Sequence, residues 1–142
     1  DLLSDKILHI AIANPEHAPY GLAAKQALES LGLWEQLQPK LVYGENVRQA
    51  LQFIQTGDAE VGIISLSVAN VPEITWTLID ESLHVPLDQA LAILTTCKNP
   101  DLAGDFISFI NGENGRPILR EYGFLLPDEI RLLSNQEDTP QQ

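Results

Sequence analysis

The stretch KILHIAIANPEHAPYG, residues 6–21, decides the fold of this chain. Residues 6–13 are rich in aliphatic side chains and precede Asn14-Pro15, a pattern that predicts a buried strand stopped by a turn. After Pro19-Tyr20-Gly21 the apolar residues recur at helical spacing until Gly32, a residue typical of helix ends. The stretch therefore predicts a strand, a turn and the opening of an amphipathic helix.

The same alternation continues along the chain. Residues 41–43 are a short strand candidate, and Gly44-Glu45-Asn46 opens a helix that Gly57 closes. Two further apolar runs, residues 61–66 and 75–79, predict strands. The resulting βαβαβ order is typical of an α/β fold in which a mainly parallel sheet is flanked by helices.

The last third of the chain predicts one more strand and two helices. Residues 89–95 fit a strand or a helix by pattern, and the preceding Pro86 favours the strand. Asn99-Pro100 is typical of a helix start, with Asn99 as the cap, and it precedes a helical pattern over residues 101–110. A shorter helix is expected at about residues 115–122.

Composition and charge exclude several classes of partner. The chain has 142 residues, 44% of them hydrophobic, which predicts a globular domain. Eight Lys and Arg residues stand against 20 Asp and Glu residues, and the formal net charge of -12 repels nucleic acid and anionic lipid. The polar residues 134–142 lack apolar periodicity, so that tail is expected to be disordered.

The sequence carries no catalytic or metal-binding motif. His9, His17 and His84 lie in different segments without metal-ligand spacing, and neither a nucleophile elbow nor a phosphate-binding loop is present. We therefore expect a protein that is not an enzyme, with no catalytic residue, metal or cofactor.

Two segments share a sequence pattern that is suited to binding an anion. Ala18-Pro19-Tyr20-Gly21 and Gly44-Glu45-Asn46-Val47 each join a strand to the first turn of a helix. Helix N-termini carry unpaired N–H donors and the positive end of the helix dipole, so two of them at one edge of a parallel sheet can bind an anion without a cationic side chain. Ordinary helix capping explains the same residues, and the pattern alone leaves both interpretations open.

The ordered set of these motifs resembles the periplasmic molybdate- and tungstate-binding protein family of ABC transporters. The resemblance runs over roughly residues 7–127. It is carried by the runs ANPEHAPYGLAA, GENVRQA and GDAEVGII, residues 13–24, 44–50 and 57–64, and by HVPLDQ, FISF and YGF, residues 84–89, 106–109 and 122–124.

The resemblance implies a ligand and a set of ligand-binding residues. The ligand is a tetrahedral oxyanion, molybdate or tungstate, which is passed to the permease of an ABC transporter. Tyr20 and Val47 would offer donors, chiefly backbone N–H groups at the two helix starts. Ser65 occupies a position where some relatives contribute a side-chain hydroxyl and others have none; a serine there also bonds readily to local backbone. The implied location is periplasmic, or extracellular and membrane-anchored.

The resemblance also implies a domain organisation. Residues 1–85 correspond to the second lobe of the periplasmic-binding-protein fold, residues 86–127 to the return crossing with its strand and to C-terminal helices that pack on the first lobe, and residues 128–142 to the polar tail. The family's first-lobe segment, which carries donors for the other side of the ligand, has no counterpart here. An incomplete site is therefore expected, and a homo-oligomer or a separate first-lobe chain would cover the apolar faces left open.

Two alternatives remain at this point. A receptor for sulfate, phosphate or a small organic acid would share the same order of strands and helices, because selectivity rests on cavity size and hydrogen-bond acceptors. An interaction domain that kept the fold and binds no ligand would share it as well.

Overall fold

The structure is a computed structural model, and it describes residues 1–126. The chain divides into two compact units, Asp1–Asp88 and a second unit that begins at Gln89. The first unit is an α/β layer whose three strands are β1 (Ile10–Ala13), β2 (Leu41–Gly44) and β3 (Val61–Ile63). Its helices are α1 (Pro19–Ser30), α2 (Trp34–Leu37), α3 (Val47–Thr56) and α4 (Leu66–Ala69), with short 3-10 turns at Gln38–Lys40 and Glu81–Leu83.

β1 is the centre of a parallel sheet of order β2-β1-β3. Successive residues of a strand point to opposite faces. Ile10 and Ile12 accordingly pack with Leu28 of α1, whereas Ala11 packs with Ala50 of α3. All four residues of β1 are buried, which is why this segment is an unbroken apolar run.

The helix ends follow the glycines expected from the sequence. Gly32 and Gly57 adopt left-handed backbone conformations with φ of +67° and +81°. At the end of α1 the N–H of Leu33 turns back to donate to the carbonyl of Leu28 at 2.8 Å. This bond satisfies a carbonyl that the last helical turn leaves without a partner in the helix.

Two predicted strands are shorter than the apolar runs suggested. Residues 6–9 are apolar enough to continue β1, but the N–H groups of Leu8 and His9 donate to the Glu60 carboxylate at 2.9 and 2.7 Å instead of to a neighbouring strand. At the other end, the predicted strand over residues 61–66 stops at Ile63 because Ser65 caps α4.

The predictions of strands at residues 75–79 and 89–95 are wrong. Neither segment is a strand or a helix in the structure. Trp76 and Leu78 are 51% and 69% exposed, and Leu91 and Leu94 are 57% and 74% exposed. A strand needs a neighbouring strand for its hydrogen bonds. Within the described part of the chain, the sheet consists of β1 to β3 alone, and neither segment pairs with any of its strands.

The second unit contains α5 (Pro100–Asn111) and α6 (Gly115–Glu121). Both predicted helices are thus confirmed, with Asn99 at the capping position and Pro100 at the first helical position. The Asn99 side chain itself makes no capping hydrogen bond; its backbone carbonyl accepts from the N–H of Ala103 at 3.1 Å. The expected disorder of residues 134–142 falls outside the described residues. No helix within residues 1–126 combines the length and the apolar character that crossing a membrane requires.

Glu60 accepts hydrogen bonds from Leu8 and His9, just before β1, and this contact makes the stability of the first unit depend on pH. The N–H of His9, and then that of Leu8, stabilise the Glu60 carboxylate, and the pKa of Glu60 lies below its ordinary value of 4.5. Because the pKa is lowered in the folded state, this stabilisation is present above pH 4.5 and is lost as pH falls through the folded value.

We therefore expect Glu60→Gln to lower the free energy of unfolding more at pH 7 than at pH 3. Urea denaturation followed at both pH values measures the difference. Asp5→Asn, which neutralises an exposed carboxylate outside this contact, is the control and should show a smaller difference. An equal effect of Glu60→Gln at both pH values would contradict the conclusion that the ionised Glu60 carboxylate stabilises the first unit.

Candidate functional site

The three strands end at one edge of the sheet. Ala13, the last residue of β1, is in register with Gly44, the last residue of β2, and Ile12 is in register with Ile63 at the end of β3. The N–H of Asn14 donates to the carbonyl of Gly44 at 2.7 Å and joins the first two loops directly. The segments that open α1, α3 and α4 therefore all leave the sheet at its carboxyl edge.

At the start of α1, an amide donor is left open. Ala18 occupies the capping position and has no side-chain acceptor to offer. The N–H groups of Gly21 and Leu22 both donate to the carbonyl of Ala18 at 2.9 and 3.0 Å, and Pro19 has no N–H. The N–H of Tyr20 donates to no acceptor among residues 1–126.

Gly21 brings this helix start unusually close to the sheet. A Cβ at Gly21 would overlap the carbonyl oxygen of Ala13 and would lie 2.8 Å from the carbonyl carbon of Asn14. Only a residue without a side chain allows this approach. Gly21 therefore holds the first turn of α1, with the Tyr20 N–H, against the end of β1.

The start of α3 has a side-chain cap, yet it too has one backbone N–H without an acceptor within residues 1–126. The side-chain oxygen of Asn46 accepts from the N–H groups of Arg48 and Gln49 at 3.0 and 3.1 Å, as a helix cap does. Gln49 reaches back, and its Oε1 accepts from the N–H of Glu45 at 2.6 Å. The N–H of Val47, which lies between these capped groups, has no acceptor within residues 1–126.

The sequence thus pointed to two turns that follow the paired strands β1 and β2, and within residues 1–126 neither the Tyr20 N–H nor the Val47 N–H has an acceptor. Tyr20 and Val47 are both partly buried, and both follow strands that pair directly through β1 and β2. Open donors at helix starts beside the carboxyl ends of parallel strands can hold an anion through neutral hydrogen bonds.

Ser65, the third candidate, lies at the same edge after β3. It is 7% exposed and caps α4, and its Oγ accepts from the N–H of Ser67 at 3.2 Å. Its Oγ also lies 2.7 Å from the Oγ of Ser67. Ser65 therefore does bond to local backbone, the alternative that the sequence left open. Sequence reasoning missed Ser67, although two serines separated by one residue at a helix start would have been the signal.

A contact between two polar side chains also joins the first two loops. Nε2 of His17 lies 3.4 Å from a carboxylate oxygen of Glu45, and these side chains are 48% and 79% exposed. Nearby, burial and then the charge of Glu16 raise the pKa of Tyr43. An exposed ion pair contributes little to stability. Glu16 and Glu45 are both exposed, and their proximity to Tyr43 and His17 depends on how β1 and β2 align.

Metal chemistry has no support in the described part of the chain. Within residues 1–126 no three His, Cys, Asp or Glu side chains are grouped so that they could hold a metal ion. Beside the exposed contact between His17 and Glu45, the sheet edge offers neutral donors, two amides and a pair of hydroxyls. The first unit is thus an α/β layer whose loops lie at the carboxyl edge of a parallel sheet, the edge at which α/β proteins bind ligands.

Sequence comparison assigns the family. The profile of the bacterial extracellular solute-binding proteins matches residues 1–125, and the chain belongs to that family. This is a family of solute-binding proteins, not one of enzymes. The predicted resemblance and the predicted α/β fold class are both confirmed.

Individual relatives bind molybdate according to their names. The chain is 38% identical over 121 residues to the molybdate-binding protein ModA of Azotobacter vinelandii, covering 82% of this chain and 48% of that protein. It is 33% identical over 126 residues to ModA of Rhodobacter capsulatus, covering 87% of this chain and 50% of that protein. The chain spans about half the length of the curated relatives it matches.

A solved structure supports the same assignment. The periplasmic molybdate-binding protein of Azotobacter vinelandii matches with a TM-score of 0.79 at 30% identity, over 89% of this chain and 57% of that one.

Proposed function

We propose that this chain binds a tetrahedral oxyanion, molybdate or tungstate, for delivery to the permease of an ABC transporter. The donors are the backbone N–H groups of Tyr20 and Val47 and the hydroxyl of Ser65. The observation that carries the proposal is the pair of amides, at helix starts that follow paired strands, that have no acceptor within residues 1–126. The names of the relatives support the choice of ligand.

The chemistry of the edge suits a fully ionised oxyanion. Such a ligand only accepts hydrogen bonds, and a helix N-terminus adds the favourable end of its dipole. A hydrogen bond to a charged group contributes about 1.5 to 3 kcal/mol. Two or three of them correspond to a dissociation constant on the order of micromolar to millimolar for these donors alone. Catalysis is not part of the proposed role, and no cofactor is needed.

Amide NMR of this chain tests the proposal at the level of single donors. We expect molybdate and tungstate to shift the amide resonances of Tyr20 and Val47, because both N–H groups gain an acceptor. Sulfate and phosphate at matched ionic strength are the controls. Larger shifts with those two anions would favour the alternative receptor, and no shift with any anion at tens of millimolar would favour an interaction domain without ligand.

The second unit supports a further part of the proposal, a polypeptide partner. One side of α5 exposes Leu102, Phe106 and Phe109, which are 67%, 59% and 49% exposed and line an open groove of about 710 Å³. Large apolar patches of this kind mark interaction surfaces. We propose that residues 86–127 pack on a first lobe, supplied by a separate chain or segment, and that a second copy covers this face when the chain is alone.

Size-exclusion chromatography with light scattering tests the second-copy arrangement. We expect the isolated chain to associate as its concentration rises, because burying three large apolar side chains is favourable. Phe106→Asp should return it to a monomer. Ser108→Asp, which adds the same charge to an exposed position of α5 away from this side, should leave association unchanged. A monomer at every concentration would contradict the homo-oligomer.

The same family supports a proposal for the location. Its members are extracellular solute-binding proteins, and the matching Azotobacter structure is a periplasmic protein. We propose a periplasmic location, or an extracellular one with a membrane anchor, for the protein that contains this chain.

A further inference from the structure

Two serines form a hydroxyl pair at the end of β3. Ser65 is almost fully buried and Ser67 is partly buried. The Oγ of Ser65 accepts from the Ser67 N–H at 3.2 Å, and the two Oγ atoms are 2.7 Å apart. A serine that caps a helix needs only to accept from the backbone. The bond between the two hydroxyls is therefore additional to the cap.

Counting hydrogens shows that the pair has one donor to spare. Each hydroxyl carries a single hydrogen, so the pair has two, and only one can lie between the oxygens. The other hydrogen has no acceptor among residues 1–126, whichever direction the shared bond takes. The pair can thus present a free O–H from Ser65 or from Ser67, depending on that direction.

An oxyanion beside Ser65 would select one direction. It needs the Ser65 O–H as a donor, so Ser67 must donate to Ser65. The Oγ of Ser65 then accepts twice, from the N–H and from the O–H of Ser67, which fills both of its lone pairs. Its own hydrogen is left to point away from Ser67, and hydrogen bonds in such a chain strengthen one another.

We infer that Ser67 is a positioning residue of the oxyanion site, whose hydroxyl donates to Ser65 and holds the Ser65 O–H toward the ligand. This inference rests on the proposed function and adds to it a residue that acts through another. Ser67 itself does not contact the ligand in this arrangement.

A double-mutant cycle tests the inference. Molybdate affinity is measured by calorimetry or amide NMR for the unchanged chain, Ser65→Ala, Ser67→Ala and the double variant. We expect roughly a tenfold or greater loss for Ser65→Ala, since a bond to a charged ligand is removed. Ser67→Ala should lose about threefold to tenfold. The double variant should bind no more weakly than Ser65→Ala, because two residues in one hydrogen-bond chain are not additive.

Further variants separate positioning from folding. Ser67→Thr keeps the hydroxyl and should retain affinity within about twofold. Both Ser67 variants leave the capping oxygen of Ser65 in place, so they remain informative even where Ser65→Ala loosens α4. Urea denaturation of each variant should show that Ser67→Ala loses affinity without a matching loss of stability.

The outcomes distinguish this inference from the proposed function. If the unchanged chain binds neither molybdate nor tungstate, both are overturned. If it binds and Ser67→Ala has unchanged affinity, or if the two single losses simply add, the inference alone is overturned. The proposed function would then rest on the amides of Tyr20 and Val47.

Discussion

Gly21→Ala is expected to destabilise the first unit by about 3 kcal/mol, the cost of forcing extra volume into a tightly packed position. The new Cβ would meet backbone and not a movable side chain: it would overlap the carbonyl oxygen of Ala13 and lie 2.7 Å from the carbonyl carbon of that residue. Either α1 or the end of β1 must move. Because Tyr20 precedes Gly21, the same displacement should weaken oxyanion binding.

The measurement is urea denaturation followed by tryptophan fluorescence. The chain has two tryptophans, Trp34 and Trp76, and both lie in the first unit, so their emission reports the unit that contains Gly21.

Gly104→Ala is the matched control, a glycine within helix α5 where a Cβ would meet nothing within 4 Å. This variant, followed by circular dichroism, should gain about 0.5 to 1 kcal/mol of helix stability. An unchanged denaturation midpoint for Gly21→Ala would contradict the close approach of α1 to β1.

Val47→Pro is expected to weaken molybdate binding by roughly tenfold or more, because it removes one of the proposed donors to a charged ligand. Proline is well tolerated at the first position of a helix, and Val47 is the first residue of α3. The residue before a proline must be extended, and Asn46 already is, with φ of -156° and ψ of 175°. The N–H that is lost has no acceptor among residues 1–126, so the substitution removes little besides the donor.

Val47→Ala separates the backbone effect from the side-chain effect. It shortens the same side chain but keeps the N–H, so its affinity should stay within about threefold of the unchanged chain. Calorimetry with molybdate compares the two variants, and urea denaturation confirms that both are folded. Equal affinities for Val47→Pro and Val47→Ala would show that the Val47 amide does not bind the ligand.

The candidate site could be predicted from sequence only in part, and the two proposed donors at the helix starts show why. Tyr20 and Val47 follow strand, turn and helix signals that lie within a few residues of each other, so local patterns locate them. Ser65 was a candidate as well, and its hydroxyl partner Ser67 was not considered. The His17 contact with Glu45 was missed because it depends on how β1 and β2 align.

Local signals account for what the sequence by itself determined: the central strand, the helices that start at Pro19, Val47 and Pro100, and the glycine ends at Gly32 and Gly57. Each depends on backbone preferences or caps within one turn. Only the tertiary structure decided which apolar runs become strands. Leu8 and His9 bond to Glu60, and residues 75–79 and 89–95 remain without a strand neighbour in the described chain. A strand takes its hydrogen bonds from residues far away in sequence, and an apolar pattern carries no information about whether such a neighbour is there.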